Sequence, residues 1–136
     1  MKKILIINAN YYMKISSEMS SEAKNALDNS KSLGGKKKNF KYKIINVPGV
    51  FEIPVIISKN IKKYDGFIAL GCVIKGETPH FDFISQATTN AIMTLSIDYK
   101  KPVGNGIITC LNQDQAEARS KKGREAAEAV ISVLSK

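Results

Sequence analysis

The chain holds one histidine, His80, in the segment GETPHFDF (76–83), one residue beyond a proline and just past an apolar run. A neutral imidazole can accept and return a proton near neutral pH, so a histidine at the mouth of a site is a candidate general acid–base. A histidine that only hydrogen-bonds a neighbouring backbone group has the same local sequence, and this stretch alone leaves both readings open. Thr78 followed by Pro79 signals a helix start, with a capping hydroxyl ahead of a residue whose fixed φ suits the first turn. Backbone N–H groups at Gly76, Glu77 and Thr78, backed by the helix dipole, would form a seat for a phosphate. Arg119 and Arg124 are the only arginines among 21 basic residues. A guanidinium grips phosphate with two parallel bonds where lysine offers a point charge, although on the local sequence alone a solvated surface role is the first reading of Arg119. Glu52, at the end of VPGVFE, can accept hydrogen bonds from sugar-like hydroxyls or simply complement a helix start. Tyr11 and Tyr12 offer a flat face for a ring, or a cover for the end of a sheet.

The elements that must position these residues follow from hydrophobic periodicity. KKILIIN (2–8) is a continuous apolar run, the pattern of a strand buried on both faces. Met19, Ala23, Ala26 and Leu27 predict a helix over 18–30, with Ser16, Ser17 and Ser20 as candidate caps. KSLGGKKKN (31–39) reads as a connection, and YKIINV (42–47) as a second strand cut off by Pro48-Gly49. A helix from Ile53 to about Lys63 places Pro54 in its first turn. DGFIALGCVI (65–74) is a third strand, followed by a long helix through Phe81, Ile84, Ala87, Ala91, Ile92 and Leu95. KKPVGNG reads as a breaker, IITCL (107–111) as a fourth strand, and two helices over 114–120 and 124–134 are divided at Gly123. Strand and helix alternate throughout, which predicts an α/β fold: three layers, α/β/α, around a four-stranded parallel sheet of flavodoxin-like type. Ligands of such sheets gather at the carboxyl ends of the strands, beside the switch in strand order. The segments NANYY (8–12), VPGVFE (47–52), GCVIKGETPH (71–80) and TCLNQD (109–114) lie there.

At 136 residues the chain is expected to form a single domain spanning 1–136. Apolar residues make up 43% and charged residues 24%, an ordinary globular balance that argues against disorder. Its apolar runs are too short to span a bilayer or to serve as a secretory leader, so no membrane partner and a cytoplasmic location are expected. Cys72 and Cys110 form no C-x-x-C pair, and one histidine cannot complete a usual zinc set with them, so reduced thiols and no metal are expected. The formal charge of +9 invites a basic nucleic-acid-binding module. Lysine dominates that charge and is scattered, whereas base and phosphate readers lean on arginine. No nucleic-acid partner is therefore expected, and the field favours an anionic small substrate. A flavin- or nucleotide-binding protein of the same fold, without catalysis, is a further rival.

VPGVFEIP, YDGFIALGCVIKGETPHFDFI and KPVGNGIIT together closely resemble the lumazine synthase family, and the resemblance covers nearly the whole chain. It implies condensation of 5-amino-6-(D-ribitylamino)uracil with 3,4-dihydroxy-2-butanone 4-phosphate, without metal or organic cofactor. By the same resemblance His80 stands at the proton-transfer position, and Glu77 with Thr78 at the phosphate-binding helix start. Arg119 matches a phosphate arginine that reaches in from the adjacent subunit. Val50, Phe51 and Glu52 match the ribityl-binding segment, Cys72, Val73 and Ile74 the strand that meets the pyrimidine edge, and Tyr11 the ring-stacking aromatic. The chain departs from the family at Asn10, where an arginine is common, and at Asn105, where many members have an aromatic that closes over the ring from the next subunit. The segment from Arg119 to Gly123 is also shorter than usual, leaving Lys121 and Lys122 to supply its basic residues. The resemblance further implies a homo-pentamer with sites between neighbours, and leaves open a sixty-subunit capsid of twelve pentamers.

Overall fold

The computed structural model describes residues 1–30 and 40–136; the expected connection over 31–39 lies outside them. Four strands, β1 (Lys2–Ala9), β2 (Phe40–Val47), β3 (Gly66–Ile74) and β4 (Val103–Cys110), form one all-parallel sheet in the order β2-β1-β3-β4. Among the described residues five helices accompany them: α1 (Met13–Asp28), α2 (Ile53–Asn60), α3 (His80–Tyr99), α4 (Gln113–Ala118) and α5 (Lys122–Leu134). A single 3-10 turn, Val50–Glu52, precedes α2. No helix among the described residues is long and apolar enough to cross a membrane.

The central strands explain the layering. Ile4 and Ile6 of β1 enter one apolar cluster with α1, α4 and α5, while Leu5 and Ile7 enter a second with α2 and α3. Ile68 and Leu70 of β3 face the first cluster, and Phe67 and Ala69 the second. Each fully buried Ile or Leu contributes roughly 1.5–3 kcal/mol, so these two strands anchor both helical layers. The expected three-layer α/β/α arrangement is therefore present. The edge strand β2 alternates instead, with Lys41 and Lys43 exposed, a pattern that discourages pairing with another chain.

Several boundaries differ from expectation, and packing accounts for three of them. α1 begins at Met13 rather than near residue 18, because the serines read as caps belong to its body. Ser16 and Ser20 are buried, and the Ser16 hydroxyl donates to Met13 O at 3.2 Å. β4 begins at Val103, so Gly104 and Gly106 are strand residues rather than a break. A Cβ on Gly104 would stand 2.2 Å from Ala126 O, and one on Gly106 2.6 Å from Leu70 Cδ2, so both glycines serve close approach. Gly123 does not divide two helices but lies inside the first turn of α5, buried against α1. α2 ends at Asn60, short of Lys63. The true end of the long helix is α3's Lys100, in the left-handed region at φ 55°, with Pro102 beyond it.

Candidate active site

All four strands end on one rim, and strand order reverses between β1 and β3. Two backbone bonds tie this rim together: Asn10 N–H donates to Val47 O at 3.0 Å, and Lys75 N–H to Cys110 O at 2.8 Å. Beyond β1, Tyr11 is 75% exposed and meets Tyr12 edge-to-face, with centroids 4.9 Å apart. Tyr12 packs against the core, and burial, then Cys72, then Tyr11 push its hydroxyl pKa up. Tyr11 is thus the ring presented to solvent.

The 3-10 turn rests directly over the switch. A Cβ on Gly71 would stand 2.4 Å from Val50 Cγ1 and 3.0 Å from Ala9 Cβ, so glycine alone lets Val50 settle over the ends of β1 and β3. Val50 is buried beneath, while Phe51 is exposed and Glu52 partly so. The same turn contacts α3 and β3, which brings Val50–Glu52 beside the strand end Cys72-Val73-Ile74. Burial first, then Cys110, pushes the Cys72 thiol up to about 12, so it stays protonated and is no nucleophile.

β3 then hands the chain through Lys75 and Gly76 to α3. The regular helix begins at His80 with Pro79 at the boundary, one residue later than Thr78 as cap requires. Thr78 still acts there: its Oγ1 accepts the His80 N–H at 3.4 Å, while Asp82 and Phe83 N–H share Pro79 O at 3.1 and 3.2 Å. Gly76, Glu77, Thr78 and His80 are all exposed, and no atom lies within 4 Å of where a Gly76 Cβ would project. The segment is therefore open to a ligand, with an imidazole and a helix start side by side.

Asn105 and Arg119 belong elsewhere. Asn105 lies within β4, opposite Ala69 in register, with Oδ1 accepting the Ile107 N–H at 3.1 Å. Arg119 follows α4, and its Nη1 donates to Thr109 O on the outer edge of β4 at 3.1 Å. Both line a cavity of about 540 Å³ with Thr109, Lys121, Lys122 and Glu125. Lys122 is engaged by Glu125 at 3.3 Å. The structure thus gathers Tyr11, Val50–Glu52, Cys72–Ile74 and Glu77–His80 around the rim, and sets Asn105 with Arg119 on the free edge of the sheet. The rim residues do not line that edge cavity.

Sequence reasoning passed over Asn112, Gln115 and Thr109, which hold α4 and the Arg119 side chain. The spacing Asn112-x-x-Gln115 is a helix-start signature that could have found two of them.

Comparison with known proteins supplies the family. The chain matches the sequence model of the 6,7-dimethyl-8-ribityllumazine synthase family over residues 1–136. The 6,7-dimethyl-8-ribityllumazine synthase of Bartonella bacilliformis is 39% identical over 140 residues, covering 96% of this chain and 87% of that protein. The enzyme of the same name from Aliarcobacter butzleri is 39% identical over 137 residues, covering 98% and 85%. That of Agrobacterium fabrum is 36% identical over 143 residues, covering 96% and 91%. A family match over residues 1–136, with relatives 36–39% identical over nearly all of the chain, means that the chain belongs to the 6,7-dimethyl-8-ribityllumazine synthase family.

Proposed function

We propose that this chain condenses 5-amino-6-(D-ribitylamino)uracil with 3,4-dihydroxy-2-butanone 4-phosphate to 6,7-dimethyl-8-ribityllumazine, releasing phosphate and water, as a cytoplasmic transferase of riboflavin biosynthesis. The observation that supports it most is the opening of β3 through Gly76 into α3 beside the strand-order switch, where the exposed helix start and His80 adjoin. In this reading the pyrimidine ring lies on Tyr11 and hydrogen-bonds the backbone at Cys72–Ile74. The ribityl chain meets Val50, Phe51 and Glu52, and the phosphate meets Glu77 and Thr78 at the helix start.

The amine attacks the ketone, water leaves to give an imine, phosphate is expelled, and a second ring closes with loss of another water. Each step moves a proton, and His80 shuttles it, an effect of about 10²- to 10⁴-fold. Holding two substrates in register removes up to roughly 7–11 kcal/mol of barrier, so positioning outweighs the imidazole.

Arg119 and Asn105 serve the site of a neighbouring copy, because both sit on the open edge of β4. The exposed apolar side chains Phe83, Met93 and Ile97 along α3, and Phe51 and Val55 in the same layer, support burial between copies. A homo-pentamer with sites at its interfaces follows, and twelve pentamers could build a capsid.

Steady-state kinetics test these roles. His80→Ala is expected to lower kcat while leaving substantial activity, and Arg119→Ala to raise KM for the butanone phosphate more than for the pyrimidine. An unchanged kcat removes His80 from proton transfer, and equal KM effects remove Arg119 from the phosphate.

A further inference from the structure

The carboxyl end of β4 carries hydrogen bonds that the chemistry above leaves unused. Asn112 is extended (φ −155°, ψ 172°), and its Oδ1 accepts the Gln115 N–H at 2.9 Å. The Gln115 side chain turns back, its Oε1 accepting the Leu111 N–H at 2.8 Å. The pair resembles a capping box, except that the returning bond goes to the residue before the cap.

This clamp matters because little else fixes α4. The helix has six residues, too few to persist through its own backbone bonds. Ala116 is its buried side chain, while Leu111 to Asp114 are exposed. Glu117 reaches Lys14 only at 3.9 Å, with both side chains open to solvent, a pair of little energetic weight. Arg119 leaves directly from this helix, its N–H donating to Ala116 O at 3.1 Å and its Nη1 to Thr109 O at 3.1 Å. A shift at the start of α4 therefore carries through Ala116 to the guanidinium.

We propose that Asn112 and Gln115 are positioning residues for Arg119, fixing the place from which its guanidinium meets a phosphate-bearing substrate. The inference rests on the phosphate role proposed for Arg119. It assigns these two residues no contact with substrate and no part in proton transfer.

The test compares Asn112→Ala, Gln115→Ala, Asn112→Ser and Arg119→Ala by steady-state kinetics, with assembly checked by sedimentation. Each of the first two should raise KM for the butanone phosphate by about three- to tenfold, the range a lost cap implies, with kcat and the pyrimidine KM nearly unchanged. Asn112→Ser keeps a neutral capping oxygen and should restore the KM. Asn112→Ala added to Arg119→Ala should raise it no further, because the two act through one group. If Arg119→Ala raises the phosphate-substrate KM while the Asn112 and Gln115 variants leave it unchanged, or raise both KM values alike, the positioning inference is wrong and the arginine's role survives. If Arg119→Ala itself has no such effect, the reading of Arg119 fails first and this inference falls with it.

Discussion

Gly123→Ala tests the packing of α1 against α5, which frames the face of the sheet that carries α4. An added methyl at Gly123 would place Cβ 2.1 Å from Met19 O and 2.8 Å from its carbonyl carbon. Heavy-atom contacts below 3.0 Å are essentially never seen for a Cβ, so the two backbones must part by about 0.9 Å (3.0 − 2.1). Neither neighbour is a flexible side chain, so the strain spreads into the cluster of Met19, Ala23 and Leu27 with Ala126, Ala127 and Val130. Overpacking of a close-packed core costs about 1–3 kcal/mol. The better helix propensity of alanine offsets at most about 1 kcal/mol of that. An approach of 2.1 Å to backbone atoms puts the cost in the upper part of that range, so a net loss of about 1–2 kcal/mol is expected, measured as a lower urea midpoint by circular dichroism with the m-value unchanged and protein concentrations matched. Gly76→Ala is the internal control, since its Cβ meets nothing within 4 Å, and its midpoint should stay within about 0.5 kcal/mol of the parent. A Gly123→Ala protein as stable as the parent would refute the close-approach argument, and with it the same reasoning for Gly104.

Cys72 and Ile97 carry further expectations. The Cys72 thiol is held protonated to about 12, above its ordinary 9.0, so the folded chain keeps this proton longer than the unfolded chain does. Stability should accordingly fall as pH rises through the window between those values, and Cys72→Ala should show a shallower fall in its urea midpoint; identical slopes would contradict the assignment. Alkylation of native Cys72 at pH 8.5 should also be far slower than that of an exposed thiol. Ile97→Glu, on the exposed face of α3 at 65% exposure, should lower the sedimentation coefficient by weakening assembly while leaving the far-ultraviolet spectrum intact. An unchanged assembly would remove α3 from the interface.

The parts of the fold that could be read from sequence are those where burial acts on both faces. Ile4–Ile7 and Phe67–Leu70 have no polar side, so only a central strand accommodates them, and the order of elements then places the rim residues without further information. What escaped the sequence depends on neighbours distant in the chain. The glycines at 104, 106 and 123 look like punctuation until Ala126, Leu70 and Met19 are known to press against them. Ser16 and Ser20 look like caps because nothing local reveals that α1 buries them. At the site, the resemblance implies that Arg119 and the residue at Asn105 act from an adjacent subunit, and β4, as an edge strand, sets both apart from His80. That separation is a property of strand order, which residue spacing does not encode.

The central claim is catalysis of lumazine formation, and the most direct measurement is the appearance of fluorescent 6,7-dimethyl-8-ribityllumazine from the two substrates with purified, folded protein. Formation well above the uncatalysed rate is expected, in proportion to enzyme, with one phosphate released per lumazine. Formation at the background rate, by protein whose circular dichroism shows it folded, would contradict it.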